Sequence, residues 1–290
     1  MSNVFTETTH QSWFSRIGNS IKGILIGGIV ILVSFPLLFW NEGRAVKTAR
    51  SLDEGEGATR SVASERVDPV NDGQLVHVTG TAITSELLSD AEFGIEVNAI
   101  RLRRITEMYQ WTEDVETRKK KKLGGGTTTE KTYTYETVWS DDAIDSKRFH
   151  HSEGHENPGR MLFPAKVISA KAVTVGAFQL PESMVGQISG SESVVLNESN
   201  IPESMSDRMT LVGSDTLFVG QEIQNPQVGD TRVRFVMTPS NQISLIAQQA
   251  GETFKPYQTH AGRALSMLEM GTHDAAEMFQ HARQANTALT

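Results

Sequence analysis

The densest run of groups able to hold a metal or move a proton is His150, His151, Glu153, His155 and Glu156. Imidazole nitrogens beside carboxylates suit Zn²⁺, and His151 and His155, four residues apart, would share one face of a helix. The intervening residues point elsewhere. Gly154, Asn157, Pro158 and Gly159 make the stretch a turn, so the H-E-x-x-H helix of a metalloprotease is not formed. The expectation is a loop shaped by Asn and His side chains bonded to backbone, with no metal ligand assigned.

A second concentration is basic. Arg118–Lys122 reads RKKKK, followed by Gly124–Gly126 and three threonines, between the strand-like runs Met108–Trp111 and Tyr133–Trp139. This predicts a long β-hairpin with a basic tip. Its ordinary role is solvation and the prevention of edge pairing. Its functional alternative is contact with anionic lipid headgroups, each lysine contributing about 1 kcal/mol near a charged surface. Nucleic acid is not expected as a partner, because the net charge of the 290 residues is −8.

Other chemistries leave no trace. The glycine run lacks the lysine and hydroxyl of a phosphate-binding loop, and there is no G-x-S-x-G elbow. With no cysteine, the chain has no disulfide framework, thiolate metal site or cysteine nucleophile. Asp230, Arg232 and Arg234 alternate as cross-strand ion-pair candidates. No catalytic, cofactor-binding or metal residues are assigned, no cofactor is expected, and the chain is read as a non-enzyme.

The elements that carry these residues begin with a membrane segment. Gly23–Trp40 reads GILIGGIVILVSFPLLFW, 18 residues without a charge. As a helix it reaches about 27 Å, enough for a hydrocarbon core. Lys22 closes one end and Asn41, Glu42 and Arg44 the other, with Trp13 and Trp40 at interfacial depth. No small-residue cleavage triplet follows, which favours a retained anchor over a signal peptide. Trp13, Phe14, Ile17 and Ile21 share a helical face and predict an amphipathic turn before the span. Gly23 and Gly27 form a G-x-x-x-G at which two helices can approach. Arg44, Lys47 and Arg50 against Arg16 and Lys22 favour a cytoplasmic C-terminal side by one residue.

The remaining organisation follows from composition and period. Residues 1–22 form an N-terminal tail, 23–40 the transmembrane helix and 41–70 a polar juxtamembrane connector. Residues 71–250 alternate with period two and predict a β-rich domain, sandwich or barrel-like. Residues 251–290 turn helical. Asp274 and Glu277 make a capping pair, and Ala275, Met278, Phe279, Ala282, Ala285 and Leu289 lie on one face. A shorter helix is expected around Leu265–Met270. The fold class is α+β: an N-terminal transmembrane helix, a β-rich extracytoplasmic domain and a C-terminal amphipathic helical segment.

Several phrases together carry a resemblance. They are Leu37–Val46 (LLFWNEGRAV), Leu75–Gly80 (LVHVTG), Arg103–Trp111 (RRITEMYQW), Thr132–Trp139 (TYTYETVW), Ser146–Phe149 with Gly154–Pro158 (GHENP), Asn225–Arg234 (NPQVGDTRVR) and Ala247–Tyr257 (AQQAGETFKPY). In this order they resemble the LUMA family of inner-nuclear-membrane proteins, the transmembrane protein 43 family, which has prokaryotic relatives. The resemblance implies an N-terminal span, a large extracytoplasmic domain and three further C-terminal spans; the sequence reaches Thr290, about where the second span is expected, and reads either as a piece of a longer chain or as a one-span relative. Residues 280–290 then read as the approach to a membrane segment. The orientation it implies opposes the one-residue basic bias and is followed here.

The functional expectation is a membrane-anchored scaffolding protein that acts by self-association and by binding membrane or protein partners. The bilayer, a second copy of the chain and unidentified membrane proteins are the partners. In a bacterium this means the inner membrane with a periplasmic domain; eukaryotic relatives occupy the endoplasmic reticulum and inner nuclear membrane. The alternatives are an extracytoplasmic metal- or ligand-binding enzyme using the Glu153–Pro158 loop, or an accessory subunit of a membrane transport or quality-control complex.

Overall fold

A computed structural model describes residues 3–11, 13–121 and 126–288, without the side chains of 11–25. The main elements in chain order are β1 (Val4–Gln11), α1 (Trp13–Ala58), β2 (Leu75–Ile83), β3 (Arg101–Lys121), β4 (Thr127–Ser140), β5 (Met209–Val212), β6 (Thr216–Val219), β7 (Thr231–Thr238), β8 (Asn241–Ala250), β9 (Met267–Met270) and α2 (Ala275–Ala288). The chain divides into two compact units. One comprises Met1–Phe35, Arg104–Lys166 and Val195–Arg234; the other comprises Pro36–Arg103, Val167–Val194 and Phe235–Thr290.

The first unit is built on a long hairpin. β3 and β4 pair antiparallel from Met108 opposite Ser140 to Lys121 opposite Thr127. Near its base, alternate side chains (Arg104, Thr106, Met108 and Gln110) are buried, as period two requires. Past Trp111 both strands are rich in Thr and charge, and the β-branched threonines favour extended backbone over collapse. β1 adds to the outer edge of β4, Val4 opposite Thr134 through Gln11 opposite Thr127. Its sequence VFTETTHQ carries the same β-branched signature, a strand that the N-terminal tail assignment did not anticipate. Among the described residues the sheet order is β1–β4–β3–β7–β6–β5.

The second unit centres on β2 and β8, paired antiparallel from Leu75 opposite Gln248 to Ala82 opposite Asn241. Leu75, Val76, His77 and Val78 are consecutive and all buried, so β2 is covered on both faces. Leu52, Leu75, Ile246, Leu265, Met278 and Phe279 form one apolar cluster, which joins the C-terminal part of α1 and all of α2 to this sheet. Full burial of each such side chain contributes about 1.5–3 kcal/mol. Gly55 of α1 has no room for a larger residue, since an added Cβ would run into Leu265 and Phe279.

α1 runs 46 residues with Pro36 inside it. It therefore continues past Trp40 through the polar segment, where Ala45, Ser51, Leu52 and Gly55 are buried. Before them the helix is bare. Eleven apolar side chains from Ile26 to Trp40 are 52–73% exposed. Ser34 satisfies its hydroxyl internally, donating to the Ile31 carbonyl at 2.7 Å.

Residues 251–290, expected to be helical, are so only over Ala275–Ala288; before it lie short strands at Thr253–Lys255, Tyr257–Gln258 and Ala264–Leu265, and the helix expected around Leu265–Met270 is a strand. Met267–Met270 pairs with Ile243–Ile246 of β8. Leu and Met favour helix on intrinsic grounds, but the open edge of β8 offers a complete set of backbone partners, and pairing outweighs propensity. The capping pair is present: Glu277 N–H donates to Asp274 Oδ1 at 2.8 Å, and Asp274 N–H to Glu277 Oε2 at 3.0 Å. On α2, Met278 and Phe279 are buried, Ala275 and Ala282 half-buried and Ala285 exposed; Leu289 lies outside the described residues.

Candidate functional site

The histidine run of the first unit folds into an aromatic cluster. The His155 ring is buried and stacks on Tyr135 at 4.1 Å, with Trp111 edge-on at 4.8 Å. Its Nδ1 lies 3.1 Å from the His151 carbonyl and its Nε2 lies 3.4 Å from Asn3 Oδ1. Both ring nitrogens thus face protein oxygens. His150 stacks on Tyr133 at 4.1 Å and His151 on Phe5 at 4.0 Å. Glu153 is exposed. Glu156 accepts from Gly154 N–H at 3.0 Å, a backbone bond that holds its carboxyl below the ordinary carboxylate range.

Tyr135 is the polar hinge of this cluster. Its hydroxyl donates to Glu113 Oε2 at 2.5 Å and accepts from His151 N–H at 2.9 Å. Burial and the neighbouring Glu113 carboxylate push its pKa up to about 12, against the lowering effect of the His151 amide. It stays a neutral hydroxyl and a structural donor throughout the physiological range.

The GHENP turn works through Asn157, as the sequence reading anticipated. Its Oδ1 accepts from Trp111 N–H at 2.8 Å, and its Nδ2 donates to the Trp111 carbonyl at 2.9 Å. The amide therefore imitates a neighbouring strand at the point where β3 leaves the packed base. A further bond runs from Nδ2 to the Ile144 carbonyl at 3.2 Å, closing the loop.

Of Asp230, Arg232 and Arg234, the two arginines form an ion-pair group on β7, while Asp230, just before the strand, accepts from Gln227 N–H at 2.8 Å. Arg232 donates twice to Glu107, at 2.7 and 2.9 Å, and Arg234 once at 2.8 Å. Burial raises the Glu107 carboxyl, but the two guanidiniums more than reverse this and hold it below its ordinary value. Arg232 also lies 4.5 Å from the Trp139 ring centroid.

The basic run lies along the outer part of β3. Arg118 is tied to Glu116 at 2.8 Å and Lys120 to Glu130 at 3.3 Å; Glu130 is half-buried and the other three side chains are exposed. Lys122 and the first two glycines fall outside the described residues, as do the side chains of Trp13, Phe14, Ile17 and Ile21 and the surroundings of Gly23. At Gly27 and Gly28 nothing lies within 4 Å of an added Cβ, so that face of α1 is open.

Two features escaped the sequence. Where α1 emerges, Phe39, Trp40, Gly43, Arg44, Lys47, Gly262 and Arg263 line a cavity of about 340 Å³ in the second unit. Arg44 is braced by Asn41 at 3.0 Å and Arg263 by Thr48 at 3.1 Å. Cations beside exposed rings at the end of an apolar helix suit an anionic headgroup. Secondly, Glu269, His273 and His281 bring donor atoms within 4.8 Å of one another. The residues come from β9, the loop after it and α2. Their spacing of four and eight residues crosses three kinds of backbone, so no single periodicity reveals it.

The sequence profile of the family described as transmembrane protein 43 matches residues 108–290. Human Transmembrane protein 43 is 34% identical over an alignment that covers 99% of this chain and 74% of that protein. The mouse protein of that name is 32% identical, covering 98% and 73%, and the Drosophila melanogaster homolog 28%, covering 92% and 71%. No solved structure matches the chain.

Proposed function

The chain belongs to the transmembrane protein 43 family, and from that premise we propose a membrane-anchored, non-enzymatic protein that acts by association. It joins other copies of itself and membrane partners, and its strand-rich part lies on the extracytoplasmic face. In a bacterium that places it in the inner membrane with the strands in the periplasm. The relatives carry a transmembrane name and no enzymatic one. The observation that carries the reading is the bare stretch of α1, eleven apolar side chains more than half exposed along fifteen residues of one helix. An apolar surface of that extent needs lipid or another helix to cover it. The open face at Gly27 and Gly28 admits a second helix at short range.

The span has a consequence for β1. One crossing by α1 puts residues before it and after it on opposite sides of the bilayer. Pairing of β1 with β4 needs them on the same side. Lipid cover stabilises each bare side chain by about 1.5–3 kcal/mol. An exposed edge strand stabilises little, because ordering each residue costs about 1–2 kcal/mol and its hydrogen bonds return a similar sum. Insertion therefore wins and strips β1 from β4. The freed β4 edge then becomes a surface for association, with Thr-rich, charged flanks that keep it soluble beforehand. Cations of Arg118–Lys121 and of the Arg44–Arg263 cavity contact anionic headgroups.

Copurification of two differently tagged copies from mixed membranes tests the association. Recovery of the second tag supports it; its absence at equal expression contradicts it.

A further inference from the structure

We propose that Glu269, His273 and His281 form a binding site for a divalent cation of the zinc class, which fastens α2 to the edge strand β9. The proposal is independent of the function given above. Two imidazoles and one carboxylate are a donor set that suits Zn²⁺ and its neighbours Co²⁺ and Ni²⁺. In a tetrahedral site with bonds of about 2.0–2.2 Å, donor atoms stand about 3.3 Å apart. Here Glu269 Oε2 is 2.8 Å from His281 Nδ1 and 4.0 Å from His273 Nε2, and all three residues fall within 4.8 Å. Small rotations of exposed or half-buried side chains reach the bonding geometry.

The backbone beneath them is already fixed. Glu269 lies in β9 opposite Ser244 of β8. Ser244 Oγ accepts from His273 N–H at 2.9 Å and donates to the Gly271 carbonyl at 3.0 Å. The His273 carbonyl is held by His77 Nε2 at 2.9 Å, and Gly271 N–H donates to the Gln242 carbonyl at 2.7 Å. Gly271 makes the turn at φ +93°, which a residue with a Cβ rarely adopts. His281 stands two turns into α2, whose start is fixed by the Asp274–Glu277 capping pair. Each donor therefore comes from a braced position, the condition under which a site binds tightly.

An orienting group is also present. When His273 binds through Nε2 it exchanges its 3.0 Å contact with the Met270 carbonyl for the metal. Its Nδ1–H then faces Glu277 Oε2, 3.7 Å away. A carboxylate behind a metal-bound imidazole fixes the tautomer and raises its basicity. Three protein donors leave one position for water, and the cation offsets the negative charge that Glu269 and Glu277 gather at this edge.

The test is titration of the full chain in detergent micelles with Zn²⁺ alone, and separately with Co²⁺, after removal of adventitious metal. One Zn²⁺ per chain is expected, with Co²⁺ giving the visible ligand-field bands of a low-coordinate nitrogen and oxygen site. Glu269→Gln, His273→Gln and His281→Gln each abolish stoichiometric uptake. Glu277→Gln still completes the helix cap but weakens binding about 10–100-fold. His150→Gln leaves it unchanged. Absence of stoichiometric uptake by the unaltered chain overturns the proposal, as does uptake that survives the three ligand substitutions together.

Discussion

Phe5 stands directly opposite Tyr133 across the β1–β4 ladder, with its ring stacked 4.0 Å from His151 and edge-on to Tyr135 at 5.9 Å. The N-terminal strand thereby closes the aromatic cluster that the histidine run forms. It also ties residues that precede α1 to residues that follow it. Insertion of α1 as a single crossing, as proposed above, separates the two sides of this tie, and that makes it testable.

Because the chain has no cysteine of its own, Thr9→Cys with Thr129→Cys introduces a single pair at register partners. Antiparallel partners have Cα separations of about 4.5–5.5 Å, within the range a disulfide spans. Chain synthesised without lipid should form the intrachain bond under mild oxidation. Chain in sealed native membranes should not. An intrachain bond in sealed membranes would mean that α1 does not separate the two strands.

Tyr135→Phe removes a buried hydroxyl while keeping the ring stacked on His155. The Glu113 carboxylate and the His151 amide each lose a partner, so a destabilisation of about 1–3 kcal/mol is expected. Thermal unfolding of the two proteins side by side measures it. An unchanged midpoint would show that water replaces the hydroxyl at no cost.

Glu107→Gln tests the paired guanidiniums. The Glu107 carboxyl sits below its ordinary value in the folded chain, and the unfolded value is about 4.3. Its contribution is fully present above the unfolded pKa and is lost as pH falls through the folded one. The variant should be less stable by about 1–3 kcal/mol at pH 7. The gap should close as pH drops below about 4. Unfolding midpoints at pH 7, 5 and 3.5 check this; a gap independent of pH would assign the loss to packing.

Changing Lys119, Lys120 and Lys121 to Ser tests the basic arm. Added to vesicles containing anionic lipid, the unaltered chain should float with a larger bound fraction than the variant, and the difference should vanish on neutral vesicles or in high salt. Equal flotation on anionic vesicles would leave these lysines as a solvated surface.

The parts legible in the sequence were those with one dominant local cause. An 18-residue stretch without charge gave α1, alternation gave β3, β4, β7 and β8, and the Asp274–Glu277 spacing gave the start of α2. The Asn157 turn was legible because Asn, Pro and Gly have few other uses at that density. What failed was decided by distant partners. β9 is a strand because β8 has an open edge, and β1 is a strand because β4 does. His150, His151 and His155 stand close in sequence, and in the fold their rings stack on Tyr133, Phe5 and Tyr135, with the His155 nitrogens facing the His151 carbonyl and Asn3 Oδ1. Glu269, His273 and His281 are brought together by a strand, a turn and a helix, an arrangement that only the folded β8–β9–α2 corner creates.

Association is tested by the mass of the full chain reconstituted in lipid nanodiscs at several protein-to-disc ratios. Particles holding two or more copies are expected at ratios where chance co-occupancy gives one, with Gly27→Leu shifting them towards single copies. Single copies at every ratio, with and without the Gly27 substitution, would contradict it.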